Sequence, residues 1–306
     1  MITIKKKLTE LIHNPKRILE VVLNRSCNIL PEWIYLSLKF KMKMGKWPNI
    51  RHPKSFNEKL QWLKIHDHDP RYTEMVDKIS AKEWAAGIIG KEYIVETFDY
   101  WNTPEEINWD VLPEQFVLKV NHAGGGNGII ICRDKTKLDK DKVCESLKLA
   151  LSLNLYKYNK EWPYKNVKPQ ILAEKLLIDT NKPDAVLSDY KFYCFNGKME
   201  FMVISNDRSN KHAKFDYYDR EFNHLPFKQG GENYEGAIPR PKNYELMISL
   251  AEKLSKDIPH VRVDFYDVNG EVYFGEMTFF DSSGFAAFEP EEWDYKYGEI
   301  LQLPVR

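Results

Sequence analysis

The chain has 306 residues, a length that suggests about two domains. With 43% hydrophobic and 29% charged residues it can bury a core, which excludes a wholly disordered chain. Lys plus Arg and Asp plus Glu each total 45, which excludes a globally basic nucleic-acid binder.

The charge is uneven along the chain. Residues 1–50 hold ten Lys/Arg against three Asp/Glu, so the remainder is acidic by the same margin of seven. Leu8, Leu11, Ile12, Leu19 and Val22 predict a helix over 7–23. A second spans 33–44, with Pro31 at its start, where proline is tolerated. This basic region fits a surface that docks on anionic lipid or an acidic partner, or a helical cap with solvated lysines. Residues 47–53 read as a linker. Ser55 and Glu58 form a predicted capping box opening a helix that stops near Asp67-His68-Asp69-Pro70. A helix over 71–86 follows, ended by Gly87 and Gly90, then a strand starting at 93–95. Strands are predicted at 116–120, 129–132 and 171–174, and a helix at 140–154. Asn196-Gly197 and Asn269-Gly270 mark two hairpins, 190–205 and 262–276. A helix over 244–256 lies between them. Helices mixed with antiparallel hairpins predict an α+β (α/β) fold, not a doubly wound one.

Two segments carry chemistry. The first is Lys119-Val120-Asn121-His122-Ala123-Gly124-Gly125-Gly126-Asn127-Gly128. It lacks the Walker A pattern, and a β-branched run follows it where a dinucleotide-binding loop would open a helix. Strand, glycine loop and strand suit a lid over a triphosphate, with Lys119 as a point charge. The other reading is a glycine-rich turn beside a surface lysine. The second segment is the 262–276 hairpin. Alternation puts Arg262 and Asp264 on one face. Asp264 and Glu276 lie about equally far from the turn, so they can face each other, a pair suited to Mg²⁺ bridging to phosphates. Alternatively Asp264 pairs with Arg262 and Glu276 is solvated.

Weaker signals are the Asp67-His68-Asp69 triplet, His122, the tryptophans Trp101, Trp109, Trp162 and Trp293, and a basic aromatic stretch from Tyr156 to Lys165. The triplet matches a metal motif of glycosyltransferases, but Asp and His are also common turn residues. Four scattered cysteines without a CxxC pair suggest neither zinc nor a disulfide framework. A cytoplasmic setting is the default, and no apolar run reaches the ~20 residues of a membrane span.

Taken in order, these pieces resemble the ATP-grasp superfamily. Ser55 to Lys64, Asp77-Lys78, Asp189-Tyr190-Lys191-Phe192 and Phe274-Gly275-Glu276-Met277-Thr278 are similar to its branch named for teichuronopeptide biosynthesis. The similarity covers residues 31–285. The resemblance implies three parts: helices over 1–75, a lid and nucleotide-binding subdomain over 76–173, and a C-terminal sheet domain over 174–306 that holds the metal. It implies ATP and Mg²⁺ as cofactors, with Lys78, Lys119, Gly124, Gly125, Gly126 and Gly128 on the phosphates. Glu174 would accept from the adenine amino group, and Lys175 and Leu177 would complete the hinge. Asp189 would line the nucleotide cleft. Asp264 and Glu276 would hold Mg²⁺, and Arg262, Arg208 and Lys191 would serve the transferred phosphoryl group or the substrate. Thr278 stands where many relatives carry a third ligand, Asn. The implied activity is an ATP-dependent carboxylate–amine ligase working through an acyl phosphate in capsule or cell-surface polysaccharide synthesis. It would join an amino acid or small amine to a uronic acid, in the cytoplasm or at the inner face of the membrane. The alternatives are a glycosyltransferase using a nucleotide sugar, with Asp67 or Asp69 critical, and a non-catalytic assembly factor anchored by the basic N-terminus.

Overall fold

The computed structural model describes residues 15–206, 214–234 and 236–305. Arg208 and the first half of the 7–23 helix lie outside these residues. The chain starts with helices α1 (Pro15–Arg25) and α2 (Glu32–Met44), which share a small core of Leu23, Cys27, Tyr35, Leu36 and Ile50. Helix α3 (Phe56–His66) opens with the capping box the sequence predicts. Ser55 accepts from the Glu58 amide, and the Glu58 carboxylate accepts from the Ser55 amide.

The helix expected over 71–86 is two helices, α4 (Arg71–Val76) and α5 (Ser80–Ile89). The break is at Asp77, whose ψ of 111° is extended and whose carboxylate accepts from the Ile79 amide at 3.0 Å. An Asp that offers its own side chain to the next turn competes with helix propagation. Gly87 lies within α5, and only Gly90 ends it. The strand expected from 93 begins later, as β1 (Thr97–Trp101), because 91–93 form a 3₁₀ turn.

Strands β1, β2 (Phe116–Val120), β3 (Ile129–Cys132) and β4 (Ile171–Lys175) make an antiparallel sheet in the order β1-β4-β2-β3. Helix α6 (Lys140–Leu151) covers it, burying Val143, Leu147 and Ala150 against Phe116, Leu118 and Ala173. The helix predicted over 140–154 ends at Leu151, and a separate short α7 (Leu155–Asn159) follows, capped by Asn154.

The second sheet is five-stranded and antiparallel, in the order β10-β9-β5-β6-β7. Its strands are β5 (Asp189–Phe195), β6 (Lys198–Asn206), β7 (Lys214–Tyr218), β9 (His260–Val268) and β10 (Glu271–Thr278). Both hairpins turn where the sequence says. Asn196, Gly197, Asn269 and Gly270 all have positive φ, which is the mirror-image turn that matches strand twist. Helix α8 (Tyr244–Leu254) buries one apolar side against this sheet. A two-stranded ribbon, β8 (Lys228–Gln229) with β11 (Phe288–Glu289), leads to α9 (Glu292–Ile300). The main core lies here, an aromatic cluster of Phe192, Phe195, Phe201, Phe227, Phe265 and Tyr297.

Helix α3 packs on α9 so closely that a Cβ on Gly298 would stand 2.1 Å from the Lys54 carbonyl oxygen. Among the described residues no helix is long and apolar enough to cross a membrane.

Candidate active site

The register of β9 and β10 decides where the carboxylates meet. Glu276 is the direct partner of Asp264, and Thr278 of Arg262. A bulge between Phe274 and Glu276 makes this possible, since without it Gly275 would oppose Asp264. The bulge falls on glycine for a steric reason. A Cβ on Gly275 would come within 3.0 Å of the Asp264 carbonyl oxygen. Across the next ladder Lys191 is the partner of Asp264. Lys191, Asp264 and Glu276 therefore form one row on one face of the sheet.

Three cations bind the two carboxylates. Arg262 donates to both oxygens of Asp264, Nε to Oδ1 and Nη2 to Oδ2 at 2.7 Å each, and Nη2 also reaches Glu276 at 3.0 Å. Lys191 donates to Asp264 at 2.6 Å and to Asp189 at 2.9 Å. Lys78 lies 3.3 Å from the other Glu276 oxygen. Burial pushes the Glu276 carboxyl up, but Lys78, Arg262 and Lys191 together bring it down to about 2. Burial opposes the charge on Arg262 too, and Asp264 and Asp281 restore it. Asp264 does pair with Arg262, yet Glu276 faces it and is ion-paired, not simply solvated.

The glycine loop connects β2 to β3, where Lys119 is opposite Ile129. Its base is fixed by Asn121, which is fully buried. The Asn121 side chain donates to Asp77 and to the Lys168 carbonyl at 2.9 Å each, and accepts from the Gln170 amide at 2.8 Å. The Asn121 carbonyl takes the Lys78 amide, and Lys78 Nζ donates to the Ala123 carbonyl at 2.7 Å. Lys78 thus spans from the loop to the carboxylate row. At Gly124 and Gly126 a Cβ would meet nothing within 4 Å, so the upper loop borders open space that an anion could enter. Gly128 differs. A Cβ there would lie 2.6 Å from Ala150 and 2.7 Å from Val120, so this glycine serves close packing. His122 is turned inward, in hydrogen-bond contact with Asn121 and the Leu153 carbonyl.

Glu174 has partners other than those expected for it. Its two oxygens are taken by Lys82 at 2.7 Å and Lys119 at 2.5 Å. Burial raises the Glu174 carboxyl, but the two lysines outweigh it and hold it at about 2. A carboxylate so engaged anchors both lysines. The Lys175 side chain is exposed, with its amide bonded to Glu96, while Leu177 is half-buried. Lys119 is charged despite burial because of Glu174, with smaller support from Glu276 and Asp189. Through Lys78, which reaches both the Ala123 carbonyl and Glu276, the glycine loop and the five-stranded sheet are joined by charged side chains.

Lys82 was not singled out from the sequence. Lys82 follows Lys78 by one helical turn, which is the signal that could have found it. Asp281 receives Arg262 Nη1, a pairing that no spacing rule foretells. The Asp67-His68-Asp69 triplet is spent locally. Asp67 accepts from Tyr72 at 3.0 Å, Asp69 from Arg71, and the His68 ring stacks on Trp162. The Tyr156–Lys165 stretch packs on the N-terminal helices, with Tyr156 donating to Glu32 and Lys160 to the Cys27 carbonyl. Among the described residues no group of three His, Cys, Asp or Glu side chains could hold a metal alone. Two opposed carboxylates still fit Mg²⁺, which characteristically takes one or two protein carboxylates and completes its shell with phosphate oxygens and water.

A profile of the TupA-like ATPgrasp family matches residues 58–302. The chain belongs to this family. The match starts inside the capping box of α3 and ends after α9, so it includes both sheets, the glycine lid and the carboxylate row of this TupA-like protein. No curated protein matches it. Among solved structures it is similar to the D-alanine–D-alanine ligase of Bacillus anthracis at 16% identity and a TM-score of 0.37, covering 67% of this chain and 56% of that one. It is similar to the Helicobacter pylori D-alanine–D-alanine ligase at 18% and 0.37, covering 75% and 61%. It is also similar to the biotin carboxylase domain of a Hydrogenobacter thermophilus 2-oxoglutarate carboxylase in complex with MgADP, at 20% and 0.37, covering 67% and 40%. The chain thus spans little more than half the length of the ligases it matches. At these TM-scores the assignment rests on the family match.

Proposed function

We propose that this TupA-like protein is an ATP-dependent carboxylate–amine ligase, with ATP bound between the lid sheet and the five-stranded sheet. The observation that carries this reading is the carboxylate row Asp264–Glu276, joined to the glycine loop through Lys78 and already filled by Lys78, Lys191 and Arg262. Five cations and five carboxylates meet in the cleft: Lys78, Lys82, Lys119, Lys191 and Arg262 with Glu174, Asp189, Asp264, Glu276 and Asp281. Their charges cancel, so Mg²⁺ held by Asp264 and Glu276 would leave the cluster net positive toward a nucleotide's phosphates.

The chemistry follows from charge. A carboxylate acylates poorly at neutral pH. Its oxygen attacks the γ-phosphorus of ATP, the bond to the β-phosphate oxygen breaks, and ADP leaves. Lys78, Lys119 and the lid amides stabilise the spreading negative charge, and Arg262 holds the transferring group. Mg²⁺ held by Asp264 and Glu276 would neutralise phosphate charge and fix its orientation. A neutral amine then attacks the acyl carbon, phosphate departs, and the amine loses its proton to give the amide. The closed lid excludes water that would hydrolyse the acyl phosphate. Glu174 acts here as the anchor of Lys119, with Lys82 on its other oxygen. For the substrates we propose a uronic acid of a surface polysaccharide or its precursor and an amino acid or small amine. We place the work in the cytoplasm, with the basic N-terminal region toward a membrane or assembly partner.

Thermal shift with Mg-ATP, Mg-ADP and a panel of Mg²⁺ or Mn²⁺ nucleotide sugars tests this, with Lys119→Ala and Glu276→Gln alongside. Each variant is compared with its own unliganded form, since removing Lys119 or Glu276 also disturbs an ion pair. A ligand at about a hundred times its Kd adds about 2.7 kcal/mol. Stabilisation by Mg-ATP that shrinks in both variants is expected. A response to a nucleotide sugar alone, unchanged in both, would sink the ligase and restore the glycosyltransferase.

A further inference from the structure

One element beside the carboxylate row has no role in the mechanism above. After β10 the chain makes the turn Asp281-Ser282-Ser283-Gly284. Ser282 and Ser283 stand at φ 48° and 54°, in the left-handed region that side-chain-bearing residues avoid. Strain of this kind persists only where the surroundings over-determine it.

They do so here through α3. Asn57, Gln61 and Lys64 lie on one side of that helix, all buried. Gln61 donates to the Ser283 carbonyl at 3.1 Å and to the Gly284 carbonyl at 3.0 Å. Lys64, 1% exposed, donates to the Ser283 carbonyl at 2.7 Å and to Gln61 at 3.1 Å. Asn57 continues the stripe to the Ala286 carbonyl at 3.0 Å. From the other side the buried Glu161 accepts the Ser283 hydroxyl. A Cβ at Gly284 would collide with the Gln61 amide at 2.5 Å, so only glycine lets the helix come so near. A helix does not need three buried polar side chains for its own stability. These are used to hold one turn.

What that turn presents is Asp281, and Asp281 holds Arg262 Nη1 while the remaining guanidinium nitrogens serve Asp264 and Glu276. A divalent cation held by Asp264 and Glu276 would compete with Arg262 for their oxygens. Arg262 stays charged, is itself buried, and needs another acceptor. Asp281 is already in contact.

We propose that Asp281 is the second seat of Arg262: when Asp264 and Glu276 turn to the metal, Asp281 keeps the guanidinium at the point of phosphoryl transfer, and Gln61 and Lys64 are the positioning residues that fix the turn for this hand-over. The proposal rests on the ligase reading of the cleft and adds a residue to it. Arg262 would then be free to donate to the phosphoryl oxygens, where an interaction made only in the transition state raises the rate.

Titration calorimetry of the full chain tests it with two probes, Mg-AMPPNP for the ground state and Mg-ADP with aluminium fluoride for the transferring phosphoryl group. Wild-type protein prefers the aluminium fluoride complex. Asp281→Asn keeps Mg-AMPPNP affinity within about twofold and loses about tenfold for the aluminium fluoride complex, less than the roughly 10²–10³ of a transition-state donor removed outright, because Arg262 itself remains. Asp281→Glu recovers part of the loss. Gln61→Met and Lys64→Met shift the ratio in the same direction, and urea unfolding separates this from loss of fold. A preference that survives in Asp281→Asn, or its absence in wild-type protein that binds Mg-AMPPNP, overturns the hand-over. Failure of wild-type protein to bind either probe overturns the ligase reading instead.

Discussion

Replacing Glu174 by Gln removes the buried carboxylate that two partly buried lysines share, and the structure fixes how large the effect is and how it varies with pH. The Glu174 side chain is 6% exposed, so its charge interactions are little screened. Its carboxyl titrates near 4.5 when unconstrained and at about 2 in the fold, where Lys119 and Lys82 outweigh the cost of burial. A difference of about 2.5 pH units corresponds to about 3 kcal/mol. The folded value is depressed, so this stability is complete above 4.5 and is lost as pH falls toward 2. Linkage removes about 1 kcal/mol of it by about pH 4 and about 2 kcal/mol by about pH 3. Gln cannot titrate and keeps one acceptor oxygen, so the variant is expected to be less stable by about 3 kcal/mol at neutral pH, the lower end for breaking a buried pair. Urea unfolding of both proteins at about pH 7, 5, 4 and 3 measures the gap, which closes to about 1 kcal/mol at the acid end. A gap that stays constant with pH would refute the reasoning, because Glu174 would then not be the ionised partner of these lysines.

Gly128→Ala is expected to destabilise by about 2–4 kcal/mol in urea, from the left-handed backbone and from a Cβ pressed on Val120 and Ala150. Gly126→Ala, also left-handed but bordered by open space, is expected to cost only about 1–2 kcal/mol, and equal losses would contradict the separate roles of the two glycines. Asp69→Asn breaks a half-exposed pair with Arg71, so it is expected to cost about 1 kcal/mol or less and to leave every nucleotide-induced thermal shift unchanged. Loss of a nucleotide-sugar response in that variant would return the triplet to a metal role. Leu19, Val22, Ile29, Trp33 and Trp47 are all exposed in the basic N-terminal region, so co-sedimentation with phosphatidylserine vesicles, weakened by salt and absent with neutral vesicles, is the expected result if that region meets a membrane. Equal binding to both vesicles, or to neither, would count against it.

The parts of the fold that could be read from the sequence are those fixed by local chemistry. Asn-Gly at 196–197 and 269–270 demands positive φ and forms hairpin turns, and Ser55 with Glu58 caps a helix. The opposition of Asp264 and Glu276 was also legible, because both lie in one hairpin whose turn is marked. Yet it holds only through a bulge at Gly275, a one-residue shift that alternation alone would have assigned to the wrong face. The break at Asp77 escaped because the apolar period continues through it, and the competitor is a side-chain hydrogen bond rather than a change in hydrophobicity. What could not be read depends on contacts distant in sequence. Glu174 takes one of its two lysines, Lys82, from a helix ninety-two positions earlier, a pairing no local pattern shows. Asn57, Gln61 and Lys64 read as the polar side of an amphipathic helix, and such a stripe normally faces water. They are buried because the turn at 281–284 supplies carbonyls that only another element's donors can satisfy. Polar residues at helical spacing are therefore ambiguous in one dimension. Solvent and a strained backbone ask for the same donors, and only the fold decides which of them the helix meets.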